Sequence, residues 1–333
     1  MNATCRAAVM ALLLVAFGCG GGDKPGSGSP SLLLITLDTT RPDALGCYGG
    51  SVETPVMDRL AAEGVRFDNA WTVTPLTLPS HASILTGLLP PSHGIRENTN
   101  HRLAPGVTTL AEHLAENGYR TGAAVSSIVL SKMFGLDQGF QRYDEPRSGE
   151  AIRAGGGGVE FREILERRAG DTTDRVLQHL DGSEQGPFFQ WVHYYDPHAS
   201  YDPPEPFASR YRDDLYAGEV AYVDSEIGRL LSALEDRGLL ADTLVAVVSD
   251  HGESLGEHGE NTHGLFIYRS TIQVPLILHL PGELPAGTVR SDPVSVVDLV
   301  PMMLELSLIH ISEPTRPMKE SRITACACKR GGG

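Results

Sequence analysis

Three apolar runs in this chain lead into acids. Ser31-Leu-Leu-Leu-Ile-Thr-Leu closes on Asp38, Phe188–Tyr194 leads to Asp196-Pro-His198, and Thr243–Ser249 leads to Asp250-His251-Gly252. A single acid at a strand end is normally a helix cap or half of a salt bridge. Three on one sheet edge would gather carboxylates and imidazoles in one place, which is the chemistry of a divalent metal site. No thiolate accompanies them, and oxygen and imidazole ligands suit zinc, manganese or a similar hard-to-borderline ion. Ser249–Gly259 adds further His, Asp, Glu and Gly after the third run, and Thr262-His263-Gly264 follows. The glycines let the backbone fold tightly around an ion.

Thr77-Leu-Pro-Ser-His-Ala-Ser-Ile-Leu-Thr-Gly87 is the second chemical feature. Pro79 favours the first turn of a helix and Gly87 its end. Thr77 is thereby expected just ahead of a helix N-terminus, where free amides and the helix dipole attract an anion. Two readings are open: an ordinary hydroxyl cap, or a hydroxyl facing a phosphate or sulfate ester.

These residues need elements that bring distant strand ends together. Ser31–Asp38 is a continuous apolar run of the kind buried in parallel sheets. Val65–Phe67, Arg120–Ser126, Phe188–Tyr194, Thr243–Ser249 and Val274–His279 read as further strands. Met57–Glu63, Thr109–Asn117, Glu160–Leu180 and Glu219–Arg237 read as helices, with another starting at Asp298. Pro90–Asn98 and the Gly-rich Arg147–Gly158 read as loops. Strands alternate with helices, so the expected fold is α/β with a mainly parallel central sheet flanked by helices. Open sheets of this class bind ligands at the carboxyl ends of their strands, where Asp38, Asp196 and Asp250 fall.

Leu37-Asp38-Thr39-Thr40-Arg41-Pro42-Asp43, the Thr77 motif, His193-Tyr-Tyr-Asp196-Pro-His198 and Ser249-Asp-His-Gly-Glu253, in that order, resemble the sulfatase family of the alkaline-phosphatase superfamily. The resemblance runs from about Ser31 to Leu304. Sulfatases carry Cys or Ser where this chain has Thr77, converted to formylglycine, and Arg where it has His81. Thr77 bears a methyl on its β-carbon and cannot yield that aldehyde. Threonine there resembles the phosphodiesterase, phosphoethanolamine-transferase and phosphoglycerol-transferase branches, in which a metal-bound hydroxyl attacks phosphorus. The resemblance implies that Asp38, Thr77, Asp250 and His251 form a first metal site with Thr77 as nucleophile. It places His263 on a second ion or the substrate, with His198 and Asp196 completing that second site. Asn98 falls on an asparagine that donates to a nonbridging phosphate oxygen, or is a turn residue. Thr39 stands where many sulfatases have a second acid, which fits one or two zinc or manganese ions better than calcium. His81, His93, His193 and His258 are read as structural or supporting.

The implied function is a metal-dependent hydrolase of phosphate mono- or diesters, or related small anionic esters. The alternatives are a sulfatase acting on sulfate esters, a phosphoethanolamine-type transferase, and a noncatalytic envelope binding protein that retains the fold. Transferase relatives usually carry several membrane helices ahead of the catalytic domain, and no such run precedes Ser31. The complete Asp38, Thr77, Asp250 and His251 set favours an enzyme over a binding protein.

Composition limits the rest. A hydrophobic fraction of 41% over 333 residues supports a sizeable core. A formal charge of −15 argues against a nucleic-acid partner. Residues 1–19 read as a lipoprotein-type signal: Ala8–Phe17, with Arg6 before it, is too short to span a bilayer, and Ala16-Phe17-Gly18-Cys19 resembles a bacterial lipobox. Cys19 would then carry lipid and hold the protein to the cell envelope; an ordinary secretory signal is the alternative. Residues 20–30 form a Gly/Ser/Pro tether, and residues 31–305 are expected to form the catalytic domain. Leu306–Pro317 resembles a translated sequencing-adapter read. Residues 306–333 are therefore read as non-native and the C-terminal part of the domain as truncated, the alternative being a divergent native tail. Of five cysteines only Cys47 lies in the domain, so no disulfide framework is implied.

Overall fold

The computed structural model describes residues 29–146, 166–180 and 186–308. Cys19 and the signal segment, most of the tether, the Gly-rich 147–158, the start of the expected 160–180 helix and the tail beyond 308 lie outside the described residues.

Strand β1 (Ser31–Leu37) lies between β6 (Phe188–Tyr194) and β7 (Thr243–Ser249) and runs parallel to both. β4 (Arg120–Ala124) and β5 (Arg142–Asp144) continue the parallel block beyond β6. On the other side β9 (Leu276–His279) pairs antiparallel with β7, and β2 (Val65–Phe67) pairs antiparallel with β9 and parallel with β10 (Thr288–Arg290). The result is an eight-stranded sheet in the order β10-β2-β9-β7-β1-β6-β4-β5. A three-stranded sheet, in the order β11-β3-β8, joins β3 (Ala70–Trp71), β8 (Gln273–Val274) and β11 (Val294–Ser295). The run 274–279 is thus not one strand. It breaks at Pro275, which has no N–H to give a ladder, and its halves enter different sheets.

β1 explains why its run is apolar throughout. Successive side chains point to opposite faces. Leu32 and Leu34 enter one core with Trp191, Leu244 and Ala246. Leu33, Ile35 and Leu37 enter the other with Val245 and Val247. Helices Thr77–Thr86, Leu110–Glu116 and Leu299–Leu308 cover the first face, and Pro55–Glu63 and Leu215–Asp236 the second. The mainly parallel α/β architecture is as the alternation of elements predicted.

Two helix starts are set by side chains. Thr109 and Glu112 form a reciprocal capping box at Leu110–Glu116. Asp214 accepts the Ala217 N–H, so the long helix begins at Leu215, four residues before its expected start. At the other end of the chain, helix Leu299–Leu308 runs past residue 305. The buried Ser307 bonds through its hydroxyl to Met303 O, and Tyr119 donates to Ser307 O.

Sheet register positions the site. Leu37 lies opposite both Tyr194 and Ser249, so the strand that carries Asp38 and the strand that carries Asp250 end side by side. The ladder extends one step further: the Asp250 N–H donates to Leu37 O and the Asp38 N–H to Tyr194 O.

Candidate metal centre

Asp38, Asp250 and His251 each offer a ligand atom within 4.8 Å of the other two, and all three residues are fully buried. His251 Nε2 lies 3.5 Å from Asp250 Oδ2 and 3.8 Å from Asp38 Oδ1. The other ring nitrogen, Nδ1, is 2.9 Å from Gly252 O. A carbonyl can only accept, so Nδ1 carries the proton and Nε2 presents a lone pair to the carboxylates. Burial, and then His263 beside it, push this imidazole down to about 3, so it is neutral and able to ligate.

Both Asp38 oxygens and Asp250 Oδ2 are buried without a hydrogen bond, whereas Asp250 Oδ1 accepts the His251 N–H. Burial pushes Asp38 up, but the His193 ring facing it, with His198 next, outweighs burial and holds it below the ordinary carboxylate range. Burial and the neighbouring Asp38 charge push Asp250 well above that range. Two facing carboxylates with three orphaned oxygens are costly in a dry site unless a cation joins them. The donor set of carboxylate oxygens and a neutral imidazole fits a divalent ion.

Thr77 Oγ1 is 3.3 Å from His251 Nε2, on the same side as the carboxylates. Thr77 is the first residue of its helix; it does not stand ahead of it. The N-cap position belongs to Leu76, which makes no side-chain cap. The Leu78 N–H is instead taken by Asn98 Oδ1 at 2.9 Å. The capping task therefore falls to a residue outside the helix, and the Thr77 hydroxyl is left to the site. Ser80 Oγ donates to Asp250 O, which fixes the first helical turn against the end of β7.

His81 and His193 support the carboxylates. His81 Nδ1 donates to Thr77 O at 2.8 Å and lies 3.4 Å from Asp250 Oδ2, while Nε2 meets Thr36 Oγ1. His193 Nδ1 accepts the Ser126 N–H, so its Nε2 carries the proton 3.4 Å from Asp38 Oδ2. His93 bonds Ser83 and the Ile95 N–H, and His258 stacks on Tyr268; neither joins the cluster.

The expected second group is only partly assembled. The His263 ring lies 4.3 Å from that of His251 and 5.3 Å from that of His198. His198 is stacked on Tyr195 and bonds Ala199 O through Nδ1. Asp196 is elsewhere: its Oδ2 accepts the Ala169 N–H at 2.9 Å, at the start of helix Ala169–His179. β6 ends at Tyr194, which enters the second core face and bonds Thr173 on that helix, and Asp196 lies in the turn beyond it, where the start of the same helix is its partner. Asn98 uses its carbonyl on Leu78, which leaves its amide as the group able to donate. Thr39 Oγ1 donates to Pro197 O, so the position after Asp38 adds no ligand to the cluster.

Glu253 is the residue that sequence reasoning passed over. It is fully buried and holds His263 Nδ1 at 3.2 and 3.3 Å from its two oxygens. That bond fixes the ring's orientation and leaves Nε2 free. Burial works against a charged His263, but Glu253 outweighs burial and raises its pKa. The signal was available in the Asp-His-Gly-Glu run, though nothing in it says that Glu253 turns toward a histidine ten residues on. Glu253→Ala is expected to lower turnover or metal affinity about 10- to 100-fold, as loss of an outer partner does, and Glu253→Gln, which keeps an acceptor, to recover part of it. Parallel measurement of kcat, KM and metal content on both variants checks this; unchanged values in Glu253→Ala would remove the role.

The sulfatase family profile matches residues 30–308. The chain belongs to the sulfatase family. That family consists of ester hydrolases of the alkaline-phosphatase superfamily. Among its relatives, the arylsulfatase of Clostridium perfringens is 25% identical over 367 residues, spanning 86% of this chain and 76% of its own. The N-acetylgalactosamine-6-sulfatase of Canis lupus familiaris is 29% identical over 355 residues, spanning 91% and 67%. Among solved structures, the phosphonate monoester hydrolase of Agrobacterium radiobacter superposes with a TM-score of 0.71 at 22% identity, covering 83% of this chain and 73% of that one. Ps i-CgsB in complex with k-i-k-neocarrahexaose superposes with a TM-score of 0.72 at 24% identity, covering 84% and 72%. These two likenesses establish the fold of this sulfatase-family chain.

Proposed function

We propose that this member of the sulfatase family hydrolyses phosphate mono- or diesters, or related small anionic esters, with Thr77 as the nucleophile and zinc or manganese as the ion. The observation that carries the reading is the Thr77 hydroxyl, 3.3 Å from the lone pair of His251 and beside the orphaned oxygens of Asp38 and Asp250. A divalent cation held there by Asp38, Asp250 and His251 supplies the positive charge that makes a neutral-pH alkoxide accessible and offsets the charge of the ester. Thr77 Oγ forms a bond to phosphorus as the bond to the leaving-group oxygen breaks, and the hydroxyl proton passes in net to that oxygen, which gives a phosphothreonine and an alcohol or phenol. His263, oriented by Glu253 and with its ring 4.3 Å from that of His251, holds a proton or a nonbridging oxygen in this reading. Water cleaves the phosphothreonine and restores Thr77.

A second reading is favoured by the relatives, whose names are those of sulfate-ester hydrolases: arylsulfatase, N-acetylgalactosamine-6-sulfatase and iduronate 2-sulfatase. Against the formylglycine route stands the β-methyl of Thr77, because oxidation of a secondary alcohol gives a ketone. A substrate panel of aryl phosphate, phosphate diester, phosphonate ester and aryl sulfate tests both. Turnover of the phosphorus esters well above the sulfate is expected; turnover of sulfate alone would sink the phosphoesterase reading.

The location is proposed with the function. Cys19, outside the described residues, is expected to be the lipid-bearing N-terminus on the ground of the lipobox-like Ala16-Phe17-Gly18-Cys19, and several acyl chains would hold the protein firmly to a bilayer. Wild-type protein should fractionate with membranes and Cys19→Ala should not. Wild-type protein recovered entirely in the soluble fraction would refute the anchor.

A further inference from the structure

The loop from Gly264 to Ser270 rises directly from the site. At one end it follows His263, whose ring packs 4.3 Å from that of His251. Gly264 has φ +95°, and a Cβ there would lie 3.3 Å from Leu76 Cδ2, so the loop leaves beside the residue that precedes Thr77. At the other end the Gly252 N–H donates to Thr271 O, and a Cβ on Gly252 would fall 2.0 Å from Ser270 O. Both ends are thus fastened to the catalytic loop.

Between these anchors stand Leu265, Phe266 and Ile267, with relative exposures of 77%, 54% and 75%. Single exposed apolar side chains are ordinary; the other large ones among the described residues are mostly scattered. A consecutive run on a fixed backbone calls for a reason. The backbone is fixed: the N–H groups of Leu265 and Phe266 both donate to Glu260 Oε1, and Thr271 Oγ1 donates to Phe266 O. Phe266 leans on Tyr268, which stacks on His258 at 3.9 Å. Leu265 and Ile267 are therefore held in water by a rigid frame, two and four residues on from His263, a reach of at most about 7 and 14 Å.

We infer that Leu265 and Ile267 form an apolar rim that receives the leaving group of the ester, which biases the enzyme toward aryl and other apolar leaving groups. The anionic centre must sit against Thr77, so the leaving group points away from the buried carboxylates toward the mouth. From Gly264 to Ile267 no side chain offers a hydrogen-bond donor, acceptor or charge, so a hydroxyl-rich group gains nothing there, while a ring loses apolar surface to Leu265 and Ile267. The inference rests on the anionic-ester reading of the site.

Binding of phenylphosphonate and methylphosphonate to the metal-loaded full chain, measured by calorimetry, tests it without relying on turnover. Wild-type protein should prefer phenylphosphonate by about tenfold or more, the low end of what apolar sites discriminate. The Leu265→Ser/Ile267→Ser double variant should lose that preference and keep its affinity for methylphosphonate. Equal affinities in the wild-type protein would overturn the rim and leave the anion site standing, and would assign the run to another occupant such as a second copy or a further part of the chain. Equal loss of both ligands in the variant would also overturn it, as support of His263 alone would do this. Failure of the wild-type protein to bind either anion would bring down the ester reading itself.

Discussion

Thr77→Ala is expected to lower ester turnover by on the order of 10³- to 10⁶-fold, the range seen when an enzymatic nucleophile is removed. The loss should fall on kcat, with the divalent metal retained, because Asp38, Asp250 and His251 keep their geometry without the hydroxyl. The helix should also survive: the Leu78 N–H in its first turn is bonded by Asn98, not by Thr77, so the substitution removes no cap. Thr77→Ser keeps the oxygen and should retain part of the activity. Acid-quenched wild-type enzyme should yield a phosphothreonine at residue 77 by mass spectrometry. Full activity in Thr77→Ala would end the nucleophile assignment and leave direct attack by water as the surviving route.

Asp250→Ala should remove metal and activity together. It deletes one of the two carboxylates of the cluster and leaves Asp38 and His251 as its remaining ligands. Wild-type protein should gain thermal stability when zinc or manganese is added after chelation, by about 2.7 kcal/mol at a hundredfold excess over Kd, and Asp250→Ala should gain little. The pH dependence has a definite sign. Burial and the Asp38 charge push Asp250 above the ordinary carboxylate range, so in the metal-free site it binds a proton readily. Metal must displace that proton, and affinity is expected to fall as pH falls. Metal content by mass spectrometry, with melting curves with and without added ion, reads both effects. A variant that binds metal as the wild type does would show that Asp250 is not a ligand.

The order of chemistry and scaffold was legible in the chain because a parallel core strand has to be apolar on both faces. β1, β6 and β7 could be bounded from the sequence for that reason, and each apolar run gives way to polar residues at its carboxyl end. Those strand ends marked Asp38, Asp196, His198, Asp250 and His251 as candidates, and the family resemblance singled out Asp38, Asp250 and His251 among them. What periodicity could not supply was register. Only the pairing of Leu37 with Ser249 brings Asp38 and Asp250 face to face, and that pairing is a contact across more than two hundred residues. Nor could periodicity place Asp196, which lies in the turn past the end of β6 and accepts the Ala169 N–H. Pro275 marked a break that a hydropathy run conceals, because a missing N–H matters only once a neighbouring strand needs it. The roles of Asn98 as the cap for Leu78, of Glu253 as the partner of His263, and of the Thr77 hydroxyl as free of any cap were decided by the tertiary structure alone. A sequence states which groups can donate and accept; which partner each one meets depends on the distances that folding sets between residues far apart in the chain.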